Sequence, residues 1–595
     1  MKIIRPMLHL LASRWRSWLG FELLFHLVLL SVVGPALKLT LDGAMALAGY
    51  RYLSYENVIR FLTTPAAIVA VLLLAVLLTL VSVIELAGMH YVFALDEAHG
   101  RPRVMDALRY ALRRAAATFK HPSNLLLIPY LLLVLPFMRM GATSGMVRAL
   151  DVPEFIMEYV QLNPVLGAAY IAVYLLLFIL SFLVVFSTVY FVADDVSFVD
   201  ALRQARAAGK HHYFGDLLRV SLLPMVPALV VALGLIAVAG VLMLLIGANI
   251  TWQAIVLVGS ALVSFLVAAP FSYAAMLATL QGRPGCEPRR PEPPVAHLSP
   301  VVMALAVASV TLACVAGGAF FLHQNVILPM QATDQLGGRK VVVTAHRGGS
   351  FGAPENTMAA FQLASDQGAD VCELDVQMSK DGVIFVSHDS NFKRVSGVDK
   401  GAWELTWAQI QELDATGDYW KGQAEPQKYP LLSDVIEWAI AHDMRLNIEL
   451  KPTGHETDFE KTVADIINAH NFGDQCIVTS QNYDTVARMK EYAPEATCTY
   501  VTALAYGDMC ALDAADAFSI EETSATPSLV AYLHAHNKPV LTWVVNSEGT
   551  MEVMASNGVD NVITDDVPLA RQVIDRMNEL TPEEYLIHGI VSLLG

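Results

Sequence analysis

Charged residues are scarce in this sequence: they make up 16% of its 595 residues, whereas 55% are hydrophobic. This composition excludes a purely soluble protein, and the length exceeds that of one domain. The few charges are also unevenly distributed. Residues 1–324 carry 22 Lys and Arg against 16 Asp and Glu, while residues 325–595 carry 17 against 40. We therefore expect a first half embedded in lipid and an acidic second half outside it.

Basic residues are few in the second half, which excludes nucleic acid as a partner because phosphate backbones are bound by dense Lys and Arg faces. Cysteine is also scarce. The six cysteines form no CxxC pair and no zinc-ligand spacing, so no structural zinc site is expected. Cys498 and Cys510 could form a disulfide outside the cell, but free buried thiols are the favoured alternative.

Long apolar runs are present only in the first half. A lipid-spanning helix needs about 20 apolar residues, and seven stretches reach or approach this length. They cover residues 18–37, 65–93, 125–140, 165–192, 220–246, 254–280 and 300–322. We predict a multi-span α-helical transmembrane domain over residues 1–324, with about seven spans.

The basic residues of the short loops indicate the orientation of these spans, because translocation of Lys and Arg is disfavoured. The amino terminus and residues 101–120, 203–210 and 283–290 are basic, and the loops between them are not. With the basic side in the cytoplasm, seven crossings leave the second half outside, whereas an eighth crossing or the loss of one would reverse this. Residues 101–119 and 199–213 are predicted to form amphipathic helices in the cytoplasmic interface.

The second half alternates short β-rich runs with helical segments, which is typical of a parallel α/β domain. Nine strands are predicted, at 341–346, 371–377, 383–388, 446–451, 476–480, 497–501, 517–520, 540–545 and 561–564. A (β/α)8 barrel has eight, and the third is the suspect one because no helix fits between it and the second. We assign residues 325–340 to a linker, 341–580 to a TIM-type barrel and 581–595 to a C-terminal tail.

Polar side chains recur at the carboxyl ends of the first four predicted strands, where barrel enzymes place their sites. Residues two apart on a strand point to the same face, so Glu373 with Asp375, and Glu449 with Lys451, would each place two charges inside the barrel. Such buried charges are costly unless they are paired or bound to a metal. Three carboxylates would bind Ca²⁺ or Mg²⁺, an arginine and a lysine could hold a phosphate, and two histidines supply an acid and a base. The three carboxylates are Glu373, Asp375 and Glu449, the arginine and the lysine are Arg347 and Lys451, and the two histidines are His346 and His388.

The segment Pro354-Glu355-Asn356-Thr357 lies just beyond the first strand. Asn356 and Thr357 are interpreted as capping residues of the helix that begins at Met358. Glu355 is a candidate for contact with the site.

Seven motifs follow one another in the second half: HRGG (346–349), PENTMAAFQLASDQGAD (354–370), CELDVQMSKDG (372–382), VSHD (386–389), LNIELK (446–451), TWVVN (542–546) and ITDDVP (563–568). In this order they closely resemble the glycerophosphodiester phosphodiesterase family. The resemblance implies a (β/α)8 barrel that cleaves glycerophosphodiesters to glycerol 3-phosphate and an alcohol with a bound divalent metal. The first half is similar, mainly in hydropathy, to the membrane domain fused to some bacterial members.

The same resemblance implies roles for single residues. The two histidines match the family's acid/base pair, the three carboxylates match its metal ligands, and Arg347 and Lys451 would grip the phosphate. Trp543 matches an aromatic that packs on the glycerol or alcohol portion, although a barrel-core role suits it equally. Attack by water and attack by the substrate's own glycerol hydroxyl both remain open.

These patterns predict an enzyme at the outer membrane surface, close to membrane lipid. Lipid-derived glycerophosphodiesters, lysophospholipids and glycerophosphate polymers are all open as substrates. The alternative is a transporter or lipid-handling protein with a binding-only barrel. The complete set of two histidines and three carboxylates favours the enzyme.

Overall fold

The computed structural model describes residues 4–130, 164–194, 196–209, 270–293, 315, 316, 319 and 340–580. The chain divides into two compact units. The first comprises Met1–Ala44 and Pro65–Phe321, and the second combines Met45–Thr64 with Leu322–Leu593. The short segment Met45–Thr64 is thus grouped with residues from the far end of the sequence.

The described part of the first half is mainly helical. Its helices include α1 (Ile4–Ser13), α2 (Trp15–Val28), α3 (Gly34–Ala48), α4 (Val58–Leu62), α5 (Pro65–Ala94), α6 (Val104–Ala117), α7 (Pro164–Ala193) and α8 (Phe198–Gly209), and residues 270–281 are also helical. A π-helical turn joins α2 to α3. Within the described residues, Trp15–Ala48 and Pro65–Ala94 are long and apolar enough to cross a membrane. They coincide with the first two predicted spans.

The remaining predicted spans are covered unevenly. Helix α7 coincides with the fourth predicted span. Residues 220–246 lie outside the described residues, as does most of 125–140, 254–280 and 300–322. The number of about seven spans therefore stays a prediction.

Both predicted amphipathic segments contain helices, α6 and α8. Their buried faces include alanines four apart, Ala107 and Ala111 on α6 and Ala201 and Ala205 on α8. These alanines belong to the core of the first unit. The apolar faces therefore pack against protein.

The second unit contains a closed barrel. Its strands are β2 (Val342–Ala345), β3 (Val371–Met378), β4 (Ile384–Val386), β5 (Arg445–Leu450), β6 (Cys476–Ser480), β7 (Thr497–Thr502), β9 (Ala517–Glu521), β10 (Val540–Trp543) and β11 (Asn561–Thr564). Eight are parallel, in the ring order β2-β3-β5-β6-β7-β9-β10-β11. Strand β4 pairs antiparallel with β3. The TIM-type prediction is confirmed, and the suspect third strand is the accessory one.

Two short strands lie outside the ring, β1 (Tyr52–Ser54) and β8 (Ala505–Gly507), and they pair antiparallel with each other. The helices of the second half are α9 (Met358–Asp366), α10 (Lys393–Ser396), α11 (Trp407–Ile410), α12 (Leu432–Ala441), α13 (Phe459–Ala469), α14 (Tyr483–Tyr492), α15 (Pro527–Ala535), α16 (Glu548–Ser556) and α17 (Val567–Asn578). The connection from β7 to β9, described throughout, contains β8 and a 3₁₀ turn at Met509–Ala511 but no α-helix.

The barrel has two apolar layers. The larger one lies between the strands and the surrounding helices. A smaller cluster inside the barrel consists of Ile477, Ala517, Leu541 and Ile563, with Trp543 packed against it. These side chains fill part of the barrel interior, beside hydrogen-bonded polar pairs such as Thr344 with Asn561 and Asn447 with Thr479.

The described cysteines of the second half, Cys372, Cys476, Cys498 and Cys510, are free thiols. The possible Cys498–Cys510 disulfide is therefore wrong. Burial raises the pKa of the Cys498 thiol to about 12, which makes it unreactive at neutral pH.

Candidate active site

A sharp turn at the end of β2 carries the first two site residues onto the rim. Arg347, Gly348 and Gly349 all have left-handed backbone conformations, with φ of 51°, 84° and 82°. A Cβ on Gly348 would lie 2.7 Å from the Cβ of Ala360, so only glycine fits there. The turn brings the backbone N–H of Arg347 to Glu373 Oε2, at 2.6 Å.

The three predicted metal ligands lie together on neighbouring strands. Glu373 and Asp375 belong to β3 and are buried, and Glu449 on β5 is directly opposite Asp375 in the parallel register. One oxygen from each carboxylate lies within 4.8 Å of the others. Three hard oxygen donors at this spacing fit a divalent cation such as Ca²⁺ or Mg²⁺.

Positive and polar groups surround these carboxylates. Lys451 Nζ lies 3.1 Å from Asp375 Oδ1 and 3.1 Å from Glu449 Oε1. Asn356 donates from Nδ2 to Asp375 Oδ2 at 2.8 Å, and Arg347 Nε is 3.8 Å from the same oxygen. Asp375 is therefore the centre of the ionic network.

The two buried acids on β3 respond differently to this environment. Burial raises the pKa of Glu373, and the negative charge of Asp375 raises it further. Burial acts in the same direction on Asp375, but the charge of Lys451, with a histidine and an arginine nearby, holds its pKa well below the usual range. The cluster therefore holds one firmly ionised carboxylate beside one that resists ionisation unless a cation joins it.

His346 is held by a carboxylate from the last strand. Its Nδ1 lies 2.9 Å from Oδ1 of Asp565, just beyond β11. Asp565 also accepts hydrogen bonds from Ser350 Oγ at 2.5 Å and Asn546 Nδ2 at 2.8 Å. Burial opposes a charge on His346, but the Asp565 carboxylate outweighs it and raises the pKa of His346.

His388 is held in the same way by its chain neighbour. Its Nδ1 lies 2.7 Å from Asp389 Oδ1, and Arg394 Nε donates to Asp389 Oδ2 at 2.7 Å. Burial lowers the pKa of His388, and Arg347 and Lys451 lower it further against the opposing charge of a carboxylate. The two histidines thus have pKa values moved in opposite directions.

Glu355 connects the two sides of the rim. Its carboxylate accepts from Arg394 Nη1 and Nη2 at 2.9 and 2.7 Å, and from Arg347 Nη1 at 3.2 Å. A continuous chain of ion pairs therefore runs from Arg347 through Glu355, Arg394 and Asp389 to His388.

Trp543 lies at the end of β10, packed against the cluster inside the barrel, and its indole N–H donates to Ser519 O at 3.2 Å. This position agrees with the barrel-core alternative. A contact with substrate stays a prediction.

Sequence reasoning missed several residues of the network. Asp565 belongs to the ITDDVP motif, but the sequence does not indicate that it pairs with His346. Asn356 was interpreted as a capping residue, yet it binds Asp375, while Thr357 does cap α9 by accepting from Ala360 N. Arg394 lies in the insertion after β4 and carries no sequence signal.

Both halves of the chain are similar to known proteins. Residues 346–569 match the glycerophosphoryl diester phosphodiesterase family, and residues 4–281 match the membrane domain of glycerophosphoryl diester phosphodiesterase. A glycerophosphodiester phosphodiesterase of Caldanaerobacter subterraneus is 33% identical over 232 residues, which are 38% of this chain and 95% of the relative. One from Bacillus altitudinis is 28% identical over 38% of this chain and 94% of the relative. A solved structure of an Oleispira antarctica phosphodiesterase, in complex with the product sn-glycerol-3-phosphate, aligns at 27% identity and TM-score 0.37 over 40% of this chain and 97% of that one.

We expect Glu373→Gln to weaken Ca²⁺ or Mg²⁺ binding by roughly 10-fold or more, because it removes one of three converging carboxylates. Isothermal titration calorimetry on the purified full chain measures this. Glu460→Gln is the matched control, since Glu460 is also a buried glutamate but binds Thr485 and Arg488 on the outer helices. Equal affinities in the two variants would contradict the assignment of the metal site.

Proposed function

The chain belongs to the glycerophosphoryl diester phosphodiesterase family and is a glycerophosphodiester phosphodiesterase; on this premise we propose a metal-dependent hydrolysis by two histidines at the outer membrane surface. The products are glycerol 3-phosphate and an alcohol. One observation carries the proposal. Both histidines of the rim have Nδ1 fixed by a carboxylate, and they flank a single group of three carboxylates.

The opposite pKa shifts suggest different roles for the two histidines, one as base and one as acid. His388, with its lowered pKa, is neutral at pH 7 and accepts the proton of the attacking hydroxyl, from water or from the substrate's glycerol. His346, whose pKa the Asp565 carboxylate raises, is the better suited of the two to carry a proton, and it donates this proton to the departing alkoxide. A base and an acid whose pKa values are separated in this way suit one another at neutral pH.

Arg347 and Lys451 are the proposed phosphate ligands. Arg347 Nε is buried and has no hydrogen-bond partner among the described residues, so a phosphate oxygen would satisfy it. Glu355, predicted to contact substrate, holds the other end of that guanidinium group and so orients it. Trp543 is proposed to pack on the glycerol or alcohol portion.

Glu373, Asp375 and Glu449 are the proposed ligands of the divalent cation, Ca²⁺ or Mg²⁺. When bound, it offsets the negative charge that develops on the phosphoryl oxygens. The raised pKa of Glu373 supports this assignment, because ionising a third carboxylate there is costly without added positive charge.

The barrel is proposed to lie outside the cytoplasm on a multi-span membrane domain. The support is the basic character of the loops on one side of the apolar stretches. Substrates presented near the bilayer fit this location, with lipid-derived glycerophosphodiesters, lysophospholipids and glycerophosphate polymers as the candidate classes.

We expect the purified full chain to release glycerol 3-phosphate from a glycerophosphodiester, and a chelator to abolish this release. His346→Ala and His388→Ala should each lower kcat by roughly 10²- to 10⁴-fold, the usual contribution of a general acid or base. His442→Ala is the control, since His442 is exposed and contacts only α12. Unchanged activity in both rim variants would rule out the acid/base assignment.

Asp565→Asn should narrow the pH range of activity from its alkaline side. The acid must be protonated, so activity is lost as pH rises through the pKa of His346. Removing the charge of Asp565 lowers that pKa, and the alkaline limit of kcat/KM should move to lower pH. The control is Asp560→Asn, which alters a second His–Asp pair, with His534 at 2.7 Å, before β11 at the other end of the barrel. An unmoved alkaline limit in Asp565→Asn would disprove the role of this pair.

The proposed side of the membrane can be tested with an impermeant maleimide on intact cells. Lys393→Cys in the barrel should be labelled directly. Arg113→Cys, exposed on α6, should be labelled only after permeabilisation. The reverse pattern would place the barrel in the cytoplasm.

A further inference from the structure

One connection of the barrel is incomplete. Parallel strands are normally joined by an α-helix that covers the outer face of the sheet. The other connections of the ring contain at least one α-helix, but residues 503–516, all described, contain only β8 and a 3₁₀ turn. The outer face between β7 and β9 therefore lacks the helix that this connection would normally supply.

We infer that residues 45–64, between the first two apolar helices, replace the missing helix and are a structural part of the catalytic barrel. This goes beyond the hydrolytic function and does not depend on it. The segment belongs to the same compact unit as the barrel. It contains β1 and α4.

The main-chain contacts form a small antiparallel sheet. Strand β1 pairs with β8, with Ser54 opposite Ala505. The ladder extends by one bond, from Asp508 N to Arg51 O at 2.9 Å. Just beside it, Tyr55 N donates to Thr502 Oγ1 at 3.4 Å.

Side chains of the segment cover the outer face of β7. Tyr500 is fully buried there, and its hydroxyl donates to Glu56 Oε2 at 2.9 Å. Tyr52 packs against the outer core of the barrel, and Leu53 is buried. Arg51 forms an ion pair with Asp508 at the edge. One segment therefore covers the apolar outer face of β7, accepts the hydrogen bond of the buried Tyr500 hydroxyl and pairs with the edge of β8.

Gly507 shows how closely the two chains approach. A Cβ at this position would lie 2.7 Å from Arg51 O and 3.2 Å from Tyr52 Cα. The residue also has φ of +85°. Glycine is required here by the segment as well as by the local backbone.

The contact also restricts the topology of the chain. Residues 45–64 comprise the last four residues of the candidate span Trp15–Ala48 and the loop that leads to the candidate span Pro65–Ala94. The other ends of these spans adjoin the arginine-rich amino terminus and residues 101–120. The barrel must be on the same side of the membrane as the segment it packs against. In the proposed orientation, that side is opposite the basic loops.

A disulfide in the full chain in membranes tests the contact. Directly opposed strand residues have Cβ atoms about 4.5–5.5 Å apart, so Ser54→Cys with Ala505→Cys should crosslink on mild oxidation. A protease site inserted at 287–292 separates the two cysteines in sequence, and the two fragments should remain joined until reduced. Ser54→Cys with Ala424→Cys, and each single variant, are the controls for native thiols. Crosslinking no greater than in the controls overturns the inference.

A second measurement covers the case in which the double variant folds poorly. Gly507→Ala should expose residues 45–64 to limited proteolysis. Gly417→Ala should not, because Gly417 has a similar φ of +76° but open space around its Cβ position. Equal protection in the two variants would also overturn the inference.

Discussion

Three carboxylates gathered at one end of a filled barrel are the constraint on which the rest of the site depends. Burying a charge costs several kcal/mol unless it is paired, and Glu373 and Asp375 are almost fully buried. The surrounding groups follow from this cost. Lys451 and Arg347 supply positive charge, and Asn356 donates a hydrogen bond to the most ionised member of the cluster. The residues proposed to bind the substrate phosphate are therefore also the ones that compensate the buried negative charge of these acids.

The two histidines show how the surrounding charges give two similar side chains different pKa values. Each has a carboxylate on Nδ1, yet only His346 has a raised pKa. Its partner Asp565 is nearly buried and accepts its other hydrogen bonds from the neutral Ser350 and Asn546, whereas the carboxylate beside His388 is shared with the cationic Arg394. Two cations near His388 then favour its neutral form. The proposed acid and base are thus distinguished by their neighbours and not by residue type.

Much of the fold could be predicted from local pattern. All eight barrel strands and the accessory strand follow from short β-rich runs, because strand propensity and alternation are properties of neighbouring residues. The inward-facing acids follow from the same alternation. What local pattern cannot reveal is pairing across the ring, such as His346 with Asp565, 219 positions away. Arg394 lies in an irregular insertion, and its two carboxylate partners are determined by tertiary folding alone.

The pairing of β1 with β8 is the extreme case, since Tyr52 and Gly507 are brought together from opposite ends of the chain. Strand β7 is four strands away from β2 in either direction around the eight, so the wall covered by residues 45–64 is diametrically opposite the strand that ends at His346. A support on that wall completes the outer core of the barrel on the side of the ring opposite β2, so the segment and the proposed acid His346 belong to opposite walls of the same unit.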